Sequence, residues 1–544
     1  MKVVIVGGLA GGMSAATRTR RLDESAEIIV FEKGAHVSFA NCGMPYFIGG
    51  IIPERDDLII VSPERLRLRF RIDVRTRSEV TAIDRRARQV TVRDLETGRS
   101  YTESYDRVVL SPGASPVCPS SCAIGDRDVH VLRNLEDMDR IAEAARAAEG
   151  GRAVVVGGGF IGLELAENLR ERGLQVALAE MLPQVLPPLD PEMAELVHAE
   201  LRAHGVELHL SNAVAAIERQ DGRLTVRLQD GTALPCAFAV LCVGVRPNVD
   251  LAAQAGLTLG ATGGIRVNER LQTSDPDIYA VGDAAETVDW VTGRPVLMPL
   301  AGPASRQARI AADNICGRDS TFRGVQGTAI VRVFGLAAGQ TGAGEKALRR
   351  AGIPYEKVYV HPDSHADYYP GASSMTLKLL FAPGDGRILG AQAVGADGVD
   401  KRIDVLSTAI QARMTVYDLE EAELVYAPQF GAARDAVNMA GFVAANVLRG
   451  DQQLVHADAL PERAFLIDVR TPAEFETGHI PGAVNVPVDD LRGRLGEVPP
   501  DGPVVAYCGV GMRGYMAGRI LNQQGRPAAN LSGGLRTWKQ YHPA

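Results

Sequence analysis

Two of the seven cysteines stand in contexts that suit sulfur chemistry. Cys42 lies in the stretch Ser-Phe-Ala-Asn-Cys-Gly-Met-Pro-Tyr at residues 38–46, and the next cysteine along the chain is Cys118. A disulfide between two cysteines a few residues apart is therefore excluded at Cys42. When oxidised, Cys42 must instead join an external thiol, carry a persulfide or form a sulfenic acid. A helix is expected to start near Cys42, which would favour the reactive thiolate. The alternative is a buried inert cysteine, but buried thiols favour more apolar neighbours than these.

Cys508 opens a second candidate site, the glycine-rich run Cys-Gly-Val-Gly-Met-Arg at residues 508–513. It follows an apolar β run and precedes a predicted helix. Such a loop can point successive backbone N–H groups at an anion above a helix N-terminus. A thiolate or persulfide at Cys508 would be stabilised there, and Arg513 could add positive charge. A phosphatase-like loop, which also combines Cys and Arg, is the competing interpretation.

Two glycine fingerprints predict the elements that position this chemistry. Gly157, Gly159 and Gly162 fit the full dinucleotide pattern, and Glu180 ends the following strand. The glycines permit a tight turn and close approach of a pyrophosphate, while the acid can accept hydrogen bonds from a ribose diol. A ribose 2′-phosphate would meet this anion, so Glu180 favours NADH over NADPH.

The first fingerprint is less regular, because Leu9 stands where the middle glycine is expected in the run at residues 7–12. Glu32 nevertheless follows at the usual distance. Together with the Gly-Asp pair at Asp283, this pattern indicates FAD, with Glu32 at the adenosine ribose and Asp283 near the ribityl or pyrophosphate group. A simple turn at the end of a strand is the alternative for Asp283.

The order of these patterns predicts the domain organisation. Both fingerprints open a βαβ unit of a doubly wound sheet, and the strand that ends at Asp283 returns the chain to the first domain. Short alternating strands such as 375–380 and 388–394 then predict an α+β domain. A polar linker precedes a small C-terminal α/β unit. The expected fold class is α/β, with two doubly wound dinucleotide-binding domains, an α+β dimerisation domain and a C-terminal α/β domain.

Composition limits the possible partners and location. The net charge of −8 gives no broad electrostatic reason to bind nucleic acid or a membrane surface. Seven scattered cysteines do not form a secreted disulfide framework, and Cys118 and Cys122 lie in a Pro- and Ser-rich connection that argues against a redox pair. With no signal peptide pattern and no apolar stretch of spanning length, a cytoplasmic protein is expected. No metal site is predicted.

Taken together, the motifs resemble those of FAD-containing pyridine nucleotide–disulfide oxidoreductases, in the coenzyme A-disulfide reductase branch that carries a C-terminal rhodanese domain. The resemblance covers nearly the whole chain. Beyond the first fingerprint and the Cys42 segment, it rests on runs at residues 279–283, 299–304, 368–372 and 425–428, and in the last domain on residues 468–470 and 478–483 around Cys508. These last two runs favour sulfur transfer over a phosphatase-like loop.

The resemblance implies a homodimer that uses FAD and NADH or NADPH. The implied boundaries are 1–115 and 247–320 for the FAD-binding domain, 116–246 for the NAD(P)H-binding domain, 321–448 for the dimerisation domain, 449–458 for the linker and 459–544 for the rhodanese domain. The cofactor-binding residues would be Gly7, Gly8, Ala10, Gly11, Gly12, Glu32, Lys33, Val80, Ser111, Gly113, Asp283, Pro299 and Ala301 for FAD, and Gly157, Gly159, Phe160, Ile161, Gly162, Glu164, Glu180 and Gly244 for NAD(P)H.

The implied substrates are small sulfur compounds, namely coenzyme A disulfide, coenzyme A persulfide or polysulfide, with coenzyme A as substrate or as a tightly bound group. Cys42, Cys508 and Arg513 would be catalytic, with two tyrosines that reach Cys42 from the partner subunit. Tyr368 and Tyr426 match these tyrosines, although Tyr369 is adjacent and core or interface tyrosines are the alternative. Ser14, Arg18, Arg21, Ser38, Asn41 and Arg434 would contact coenzyme A. A solvated basic helix face competes with that role for the arginines.

One stretch departs from the family pattern in a way that opposes coenzyme A binding, and two other functions stay open. The family usually shows Pro-Pro-Phe-Ser-Ser-Ala-Lys after Tyr-Ala, whereas this chain has Pro-Gln-Phe-Gly-Ala-Ala-Arg at 428–434 and lacks hydroxyls at Gly431 and Ala432. Single-cysteine NADH oxidases and peroxidases are one alternative, but they place a histidine where this chain has Ala10. A redox-regulated sulfur carrier, in which the flavin domain only senses NADH, is the other alternative.

Overall fold

The computed structural model describes residues 1–119, 126–220 and 222–543. These residues form two units, the first comprising Met1–Pro183 with Gly205–Val325 and the second comprising Gln184–His204 with the chain from Gln326 onward. Each unit is described by itself below. The possible redox partner Cys122 lies outside the described residues.

The first unit is built around two parallel five-stranded sheets of the same plan. The first sheet has the strand order Ile278–Ala280, Arg107–Leu110, Lys2–Val6, Glu27–Phe31 and Asp73–Arg75. Its three central strands are rich in β-branched residues and largely buried, as is typical of parallel sheets. Because Ile278–Ala280 pairs with Arg107–Leu110, the chain does return to the first sheet late in the sequence, as predicted.

The second sheet repeats this arrangement. Its order is Glu207–His209, Gln175–Ala179, Arg152–Val156, Phe238–Leu241 and Val129–Val131. In each sheet the first strand of the fingerprint leads through a glycine turn into a helix, Ala10–Leu22 in the first and Phe160–Glu171 in the second. Both predicted βαβ openings are therefore confirmed.

Smaller elements complete the first unit. Two antiparallel sheets have three strands each: one contains Ser78–Asp84, Gln89–Asp94 and Ser100–Ser104, and the other contains Val214–Gln220, Arg223–Leu228 and Ala233–Cys236. Ala114–Pro116 pairs with Val245–Pro247 in a two-stranded antiparallel sheet. Ala285–Val288 pairs antiparallel with Pro295–Val296 and parallel with Ile265–Arg266. Its other helices are Met44–Gly49, Pro63–Phe70, Leu135–Ala147, Asp250–Gln254 and Ala301–Ile315. The predicted boundaries at 115/116 and 246/247 fall in the paired strands 114–116 and 245–247.

An antiparallel sheet forms the centre of the second unit. Its order is Ala329–Val333, Leu336–Gly342, Ile388–Gly395, Met375–Phe381 and Glu356–Val360. The helices of this part are Pro191–Ala203, Glu345–Ala351, Val399–Gln411, Val416–Glu421 and Ala436–Leu448. The two strands predicted at 375–380 and 388–394 are confirmed, and they pair with each other.

The C-terminal part of the second unit has its own parallel sheet, ordered Leu454–Val455, Ala528–Leu531, Val504–Tyr507, Phe465–Asp468 and Val484–Asn485. Its helices are Pro472–Glu476, Met512–Gln523 and Gly534–Tyr541. The edge strand Leu454–Val455 lies inside the stretch predicted as a linker at 449–458, so part of that stretch belongs to the C-terminal sheet.

A buried ionic cluster joins the elements of the second unit. The Lys378 ammonium lies 2.8 Å from Asp190, 2.5 Å from Glu192 and 2.5 Å from Glu345, and its side chain is fully buried. Burial opposes the charge of Lys378, but the carboxylates together raise its pKa. Burial likewise opposes ionisation of Glu345, yet Lys378 and Lys357 lower its pKa to about 2. The cluster is therefore ionised and depends on the lysine.

The C-terminal helix docks beside this cluster. The hydroxyls of Tyr541 and Tyr359 lie 2.8 Å apart, and Tyr359 donates to Glu192 at 2.9 Å. One turn earlier, the Thr537 hydroxyl lies 2.8 Å from His361 Nε2. Lys357 bonds Asp458 at 2.9 Å. The C-terminal α/β domain is thus fixed to the antiparallel sheet by hydrogen bonds to buried groups.

Replacing Lys378 tests the role of the cluster. Lys378→Met leaves buried carboxylates without their cation, and we expect it to lower the free energy of unfolding by about 3–5 kcal/mol. Urea denaturation followed by circular dichroism measures the change. The control is Arg494→Met, which removes the exposed pair with Glu497 and should cost about 0–1 kcal/mol. Equal small effects of the two substitutions would contradict the proposed importance of the cluster.

Candidate active sites

Cys42 sits where a loop becomes a helix. The 3-10 turn Asn41–Gly43 leads directly into the short helix Met44–Gly49, which has Pro45 in its first turn. The Cys42 thiol is reduced and exposed. A side chain at Gly43 would come within 2.4 Å of Leu58, so glycine is needed for the turn to pack. The predicted helix start near Cys42 is confirmed, and its thiol is accessible to an external partner.

The electrostatic surroundings of Cys42 differ from expectation. Partial desolvation and the nearby Glu164 carboxylate raise the pKa of the thiol. The short helix was expected to favour the thiolate, and for the protein groups alone that expectation is wrong. The physical reason is that one turn of helix offers little charge stabilisation, whereas desolvation and a neighbouring carboxylate both oppose a second anion.

Glu164 and Tyr46 form a pair beside Cys42. Glu164 lies on the helix of the second fingerprint, and Tyr46 donates a hydrogen bond to its Oε1 atom at 3.2 Å. Burial raises the pKa of Glu164 to about 7, with Glu167 adding to the rise. Tyr46 was not predicted as a site residue, although its position four residues after Cys42, one helical turn, offered a signal. A carboxyl group that titrates near neutral pH thus lies close to the thiol.

The first fingerprint has the geometry of a phosphate-binding turn. Helix Ala10–Leu22 begins within it, so the unpaired N–H groups of its first turn border the turn. A side chain at Gly12 would approach the Gly7 carbonyl oxygen to 1.8 Å, which explains the glycine. Glu32 accepts hydrogen bonds from the backbone N–H of Gly8 at 2.8 Å and of Gly34 at 2.6 Å. The carboxylate is therefore held at the strand end, where a ribose is expected.

The other residues predicted to bind FAD lie on elements of the same unit. Burial raises the pKa of the Asp283 carboxyl, which makes a hydrogen-bond donor from a ligand favourable there. Lys33 pairs with Glu79 at 2.7 Å, and Val80 is buried in the next strand position. Gly11 lies in the first turn of helix Ala10–Leu22, Ser111 and Gly113 follow strand Arg107–Leu110, and Pro299 and Ala301 lie at the exposed start of helix Ala301–Ile315. This arrangement fits FAD.

The second fingerprint fits a nicotinamide dinucleotide in the same way. No protein atom lies within 4 Å of the place where a side chain at Gly159 would stand, so the backbone there is open to a pyrophosphate. Glu180 accepts from the N–H groups of Gly158 at 2.7 Å and Leu182 at 2.8 Å. The predicted residues Gly157, Phe160, Ile161, Gly162 and Gly244 lie in the turn, the first helical turn or the loop after Phe238–Leu241.

The arginines predicted to hold coenzyme A differ in availability. Arg18 is already engaged with Asp313, its Nε donating at 2.8 Å and its Nη2 lying 2.7 Å away, in a largely buried pair. Arg21 is exposed. No local pattern indicated Asp313, because it lies 295 residues from its partner in sequence. Ser14 and Ser38 are partly buried, Asn41 is exposed, and Arg434 is exposed in the second unit.

The two predicted tyrosines lie together in the second unit. Their hydroxyls are 2.9 Å apart although they are 58 residues apart in sequence. Tyr368 is 71% exposed and Tyr426 50% exposed, so neither is a core residue. The hydrogen bond between the two hydroxyls raises the pKa of Tyr368. Tyr369, the residue that could be confused with Tyr368, instead stacks edge-on against His365.

Cys508 lies at the base of a tight backbone loop. It is 1% exposed, follows strand Val504–Tyr507 and precedes helix Met512–Gln523. The Gly511 N–H donates to the Cys508 sulfur at 3.2 Å. Gly511 has a φ of 103°, a conformation that favours glycine. One backbone donor of this loop, the Gly511 N–H, therefore points at the sulfur.

Arg513 reaches this loop but is held by a residue that the sequence analysis missed. Its two terminal nitrogens donate to the two oxygens of Glu474 at 2.7 and 2.6 Å. Hydrogen bonding to Arg513, against a smaller effect of burial, lowers the pKa of Glu474 to about 2. The same carboxylate accepts from Thr471 as part of a capping box, a Thr-x-x-Glu pattern that was visible in the sequence. Glu474 thus orients the guanidinium near Cys508.

The two upstream motifs of this domain hold the site together. Arg470 bonds Asp468 at 2.6 Å and the Gly478 carbonyl at 2.7 Å, both from the same guanidinium nitrogen. The N–H of Ile480 donates to the hydroxyl of Tyr507, the residue before Cys508. The motifs at 468–470 and 478–483 are therefore hydrogen-bonded to each other and to the residue that precedes Cys508.

Two dinucleotide-binding turns beside an exposed lone cysteine define a flavin- and nicotinamide-dependent oxidoreductase. Family models match residues 1–308 to the pyridine nucleotide-disulphide oxidoreductases, residues 328–437 to the dimerisation domain of those enzymes and residues 452–541 to rhodanese-like domains. The chain belongs to the pyridine nucleotide-disulphide oxidoreductase family, and it carries a rhodanese-like domain at its C-terminal end. The predicted resemblance and fold class are confirmed.

Individual relatives agree with this assignment. The chain is 36% identical over 444 residues to the coenzyme A disulfide reductase of Staphylococcus aureus strain JH9, covering 81% of this chain and 99% of that one. It superposes on the crystal structure of reduced Bacillus anthracis CoADR-RHD with a TM-score of 0.97, 46% identity and coverage of 100% and 98%. For a NAD-dependent persulfide reductase from A. fulgidus the TM-score is 0.93, the identity 38% and the coverage 99% and 100%.

Within residues 1–119, 126–220 and 222–543, no helix is long and apolar enough to cross a bilayer.

Glu164 provides a test of the charge balance at Cys42. Because the carboxylate raises the pKa of the thiol, Glu164→Gln should lower that pKa and speed alkylation of reduced Cys42 by iodoacetamide at pH 7.5. The wild-type profile of rate against pH should also carry an inflection near 7, where Glu164 titrates, and the variant should lack it. Glu171→Gln, on the exposed end of the same helix, is the control and should leave the profile unchanged. An unaltered profile in Glu164→Gln would contradict the proposed coupling.

Proposed function

We propose that this enzyme uses FAD and NADH, with NADPH as the less favoured donor, to reduce coenzyme A disulfide, coenzyme A persulfide or polysulfide at Cys42. The observation that carries the proposal is the exposed, unpaired Cys42 thiol, with no cysteine partner close to it in sequence. Such a thiol exchanges with sulfur from outside the chain. The names of the relatives, a coenzyme A disulfide reductase and a persulfide reductase, support this substrate class.

The residues of each nucleotide-binding turn have assigned roles. FAD would be held by Gly7, Gly8, Gly11 and Gly12 together with Glu32 and Asp283. The nicotinamide dinucleotide would be held by Gly157, Gly159 and Gly162 together with Glu180. When bound, these cofactors supply the electron pair for sulfur reduction. Glu180 favours NADH because its carboxylate, held by two backbone N–H groups, would repel a 2′-phosphate.

At Cys42 the chain's own groups would carry out thiol exchange. The Cys42 thiolate attacks one sulfur of the substrate, a mixed disulfide forms, and the other sulfur leaves as a thiol or hydrosulfide. With polysulfide, Cys42 instead gains one sulfur as a persulfide and a shorter polysulfide leaves. Two-electron reduction of the mixed disulfide or persulfide then restores Cys42 and releases coenzyme A or hydrosulfide. We assign to Tyr368 and Tyr426, whose hydroxyls are hydrogen-bonded, the protonation of the leaving thiolate at the Cys42 site of the partner subunit.

Coenzyme A would be bound by groups of both charge and hydrogen-bonding type. Arg21 is the exposed cation on the first fingerprint helix, whereas Arg18 would act through its fixed pair with Asp313. Ser14, Ser38, Asn41 and Arg434 complete the proposed contacts. The protein would also be a homodimer and act in the cytoplasm. The match to a dimerisation domain supports the homodimer.

Cys508 would serve a second, coupled step. A donor such as polysulfide transfers sulfane sulfur to Cys508, and the resulting persulfide is stabilised by the Gly511 N–H and by Arg513. Placing both sulfur sites in one chain raises the effective concentration of the product of one step at the other. An NADH oxidase or peroxidase is the second candidate, and it is opposed by Ala10, because those enzymes place a histidine at this position.

Replacing Cys42 tests the first assignment. We expect Cys42→Ser to retain FAD and to be reduced by NADH, while turnover with coenzyme A disulfide falls to background because no mixed disulfide can form. Anaerobic stopped-flow absorbance measures both steps. Cys236→Ser, at a cysteine outside the proposed site, is the control and should keep normal turnover. Full disulfide turnover in Cys42→Ser would refute the assignment.

Replacing Cys508 tests whether the two sulfur sites are separable. Cys508→Ser should lose sulfur transfer from polysulfide or thiosulfate to a thiol acceptor and should keep NADH-dependent coenzyme A disulfide reduction. The two activities are measured separately on the same preparation. Loss of both would argue against two independent sites, whereas oxygen consumption equal to disulfide turnover would favour the oxidase.

A further inference from the structure

A groove lies beside the Cys508 loop in the second unit. Its volume is about 520 Å³, within the range of sites that hold small organic ligands. One wall is helix Pro191–Ala203, which precedes the C-terminal domain by more than 250 residues of chain, and the other is the C-terminal helix Gly534–Tyr541. The lining residues are Glu195, Leu196, Ala199, Gly509, Leu535, Arg536, Lys539, Gln540 and Pro543.

This groove is connected to the sulfur site through the backbone. Gly509, which follows Cys508 in the loop, lines it. The N–H of Leu535 donates to the Cys508 carbonyl at 2.8 Å, and the N–H of Arg536 donates to the Gly509 carbonyl at 3.0 Å. The start of the C-terminal helix and the Cys508 loop therefore form one hydrogen-bonded assembly, with the groove at its side.

The positive charge in the groove comes from the C-terminal helix. Arg536 and Lys539 are exposed and three residues apart, so they share a helix face. On the opposite wall, Glu195 is engaged with its own helix, at 2.7 Å from His198 and 3.2 Å from Arg202. Arg536 bonds the neutral hydroxyl of Ser374, which leaves its charge uncompensated by that contact. The groove thus presents two cations to a ligand.

The same helix is rigidly anchored on its other side. Desolvation and the charge of Arg536 lower the pKa of His361 to about 3, so this histidine is neutral and bonds Thr537 at physiological pH. Tyr541 is held by Tyr359 one turn further on. Because both walls of the groove are packed against the same antiparallel sheet, their spacing is set by the fold and does not depend on a ligand.

We propose that this groove binds an anionic low-molecular-weight thiol, which accepts the sulfane sulfur from Cys508. The proposal rests on the proposed sulfur transfer at Cys508. The acceptor thiolate attacks the outer sulfur of the Cys508 persulfide, and a new sulfur–sulfur bond forms on the acceptor. The bond to the Cys508 sulfur breaks, and its electron pair stays on Cys508 as a thiolate, which the Gly511 N–H stabilises. No external oxidant or reductant is needed.

Neutralising the two cations tests the recognition step. Cys508 persulfide is formed with polysulfide, and the acceptor persulfide is then trapped with iodoacetamide and quantified by mass spectrometry. In Arg536→Gln/Lys539→Gln we expect the KM for an anionic thiol to rise about five- to tenfold, as for the loss of two exposed charge contacts. The rate with neutral dithiothreitol should change less than about twofold, since it does not use those contacts.

A matched control has the same change in net charge elsewhere on the C-terminal domain. Arg463→Gln/Arg492→Gln removes two exposed arginines that do not line the groove and should leave every KM unchanged. Coenzyme A and glutathione are compared as anionic acceptors, and a selective rise for one of them identifies the source of the thiol. An equal effect on dithiothreitol, or no effect on either anionic thiol, would overturn the proposal.

Filling the groove from its other wall gives an independent test. Ala199→Trp places a large ring in the groove from a helix outside the C-terminal domain, and it should block transfer to anionic thiols. Ala203→Trp, exposed on the same helix but outside the lining, is its control. NADH-dependent disulfide reduction at Cys42 reports that each variant is folded. If Cys508→Ser still transferred sulfur, the proposed function would fail; normal transfer to anionic thiols in Ala199→Trp would refute only the groove.

Discussion

The proposed redox chemistry depends on the lack of a second cysteine close to Cys42 in sequence. All cysteines in the described part of the chain are reduced, and the next one after Cys42 in sequence follows 76 positions later, at Cys118. A two-electron redox cycle at a thiol requires a second sulfur or an oxygen. At Cys42 this second atom must come from a substrate. The glycine turns, the two sheets and the helix start beside Cys42 then serve to bring dinucleotides and an outside sulfur compound to the same region of the protein.

The two sulfur sites are built alike in backbone but differ in electrostatics. Each cysteine precedes the start of a helix. At Cys508 the Gly511 N–H donates to the sulfur, and Glu474 keeps the Arg513 guanidinium in place. At Cys42 the protein groups oppose the thiolate. The first arrangement suits a resting persulfide, whereas the second suits a thiol whose ionisation is controlled by its surroundings.

Local sequence patterns predicted most of the fold, because glycine turns, β-branched strands and capping residues act over a few positions. Both βαβ units, the late return strand and the loop at Cys508 follow from such patterns. The ionic pairs Arg18–Asp313 and Arg513–Glu474 and the cluster at Lys378 did not, since they join residues far apart in sequence. The Tyr368–Tyr426 contact came from family resemblance, and only the structure shows their hydroxyls in contact.

The most direct test of the central claim is peptide mapping of the oxidised holoenzyme by mass spectrometry without reduction. We predict that the peptide containing Cys42 carries a disulfide to a small thiol, or one additional sulfur atom, after exposure to a coenzyme A or polysulfide substrate. A disulfide between Cys42 and another cysteine of the chain, or an unmodified Cys42 in enzyme that has been oxidised and inactivated, would contradict it.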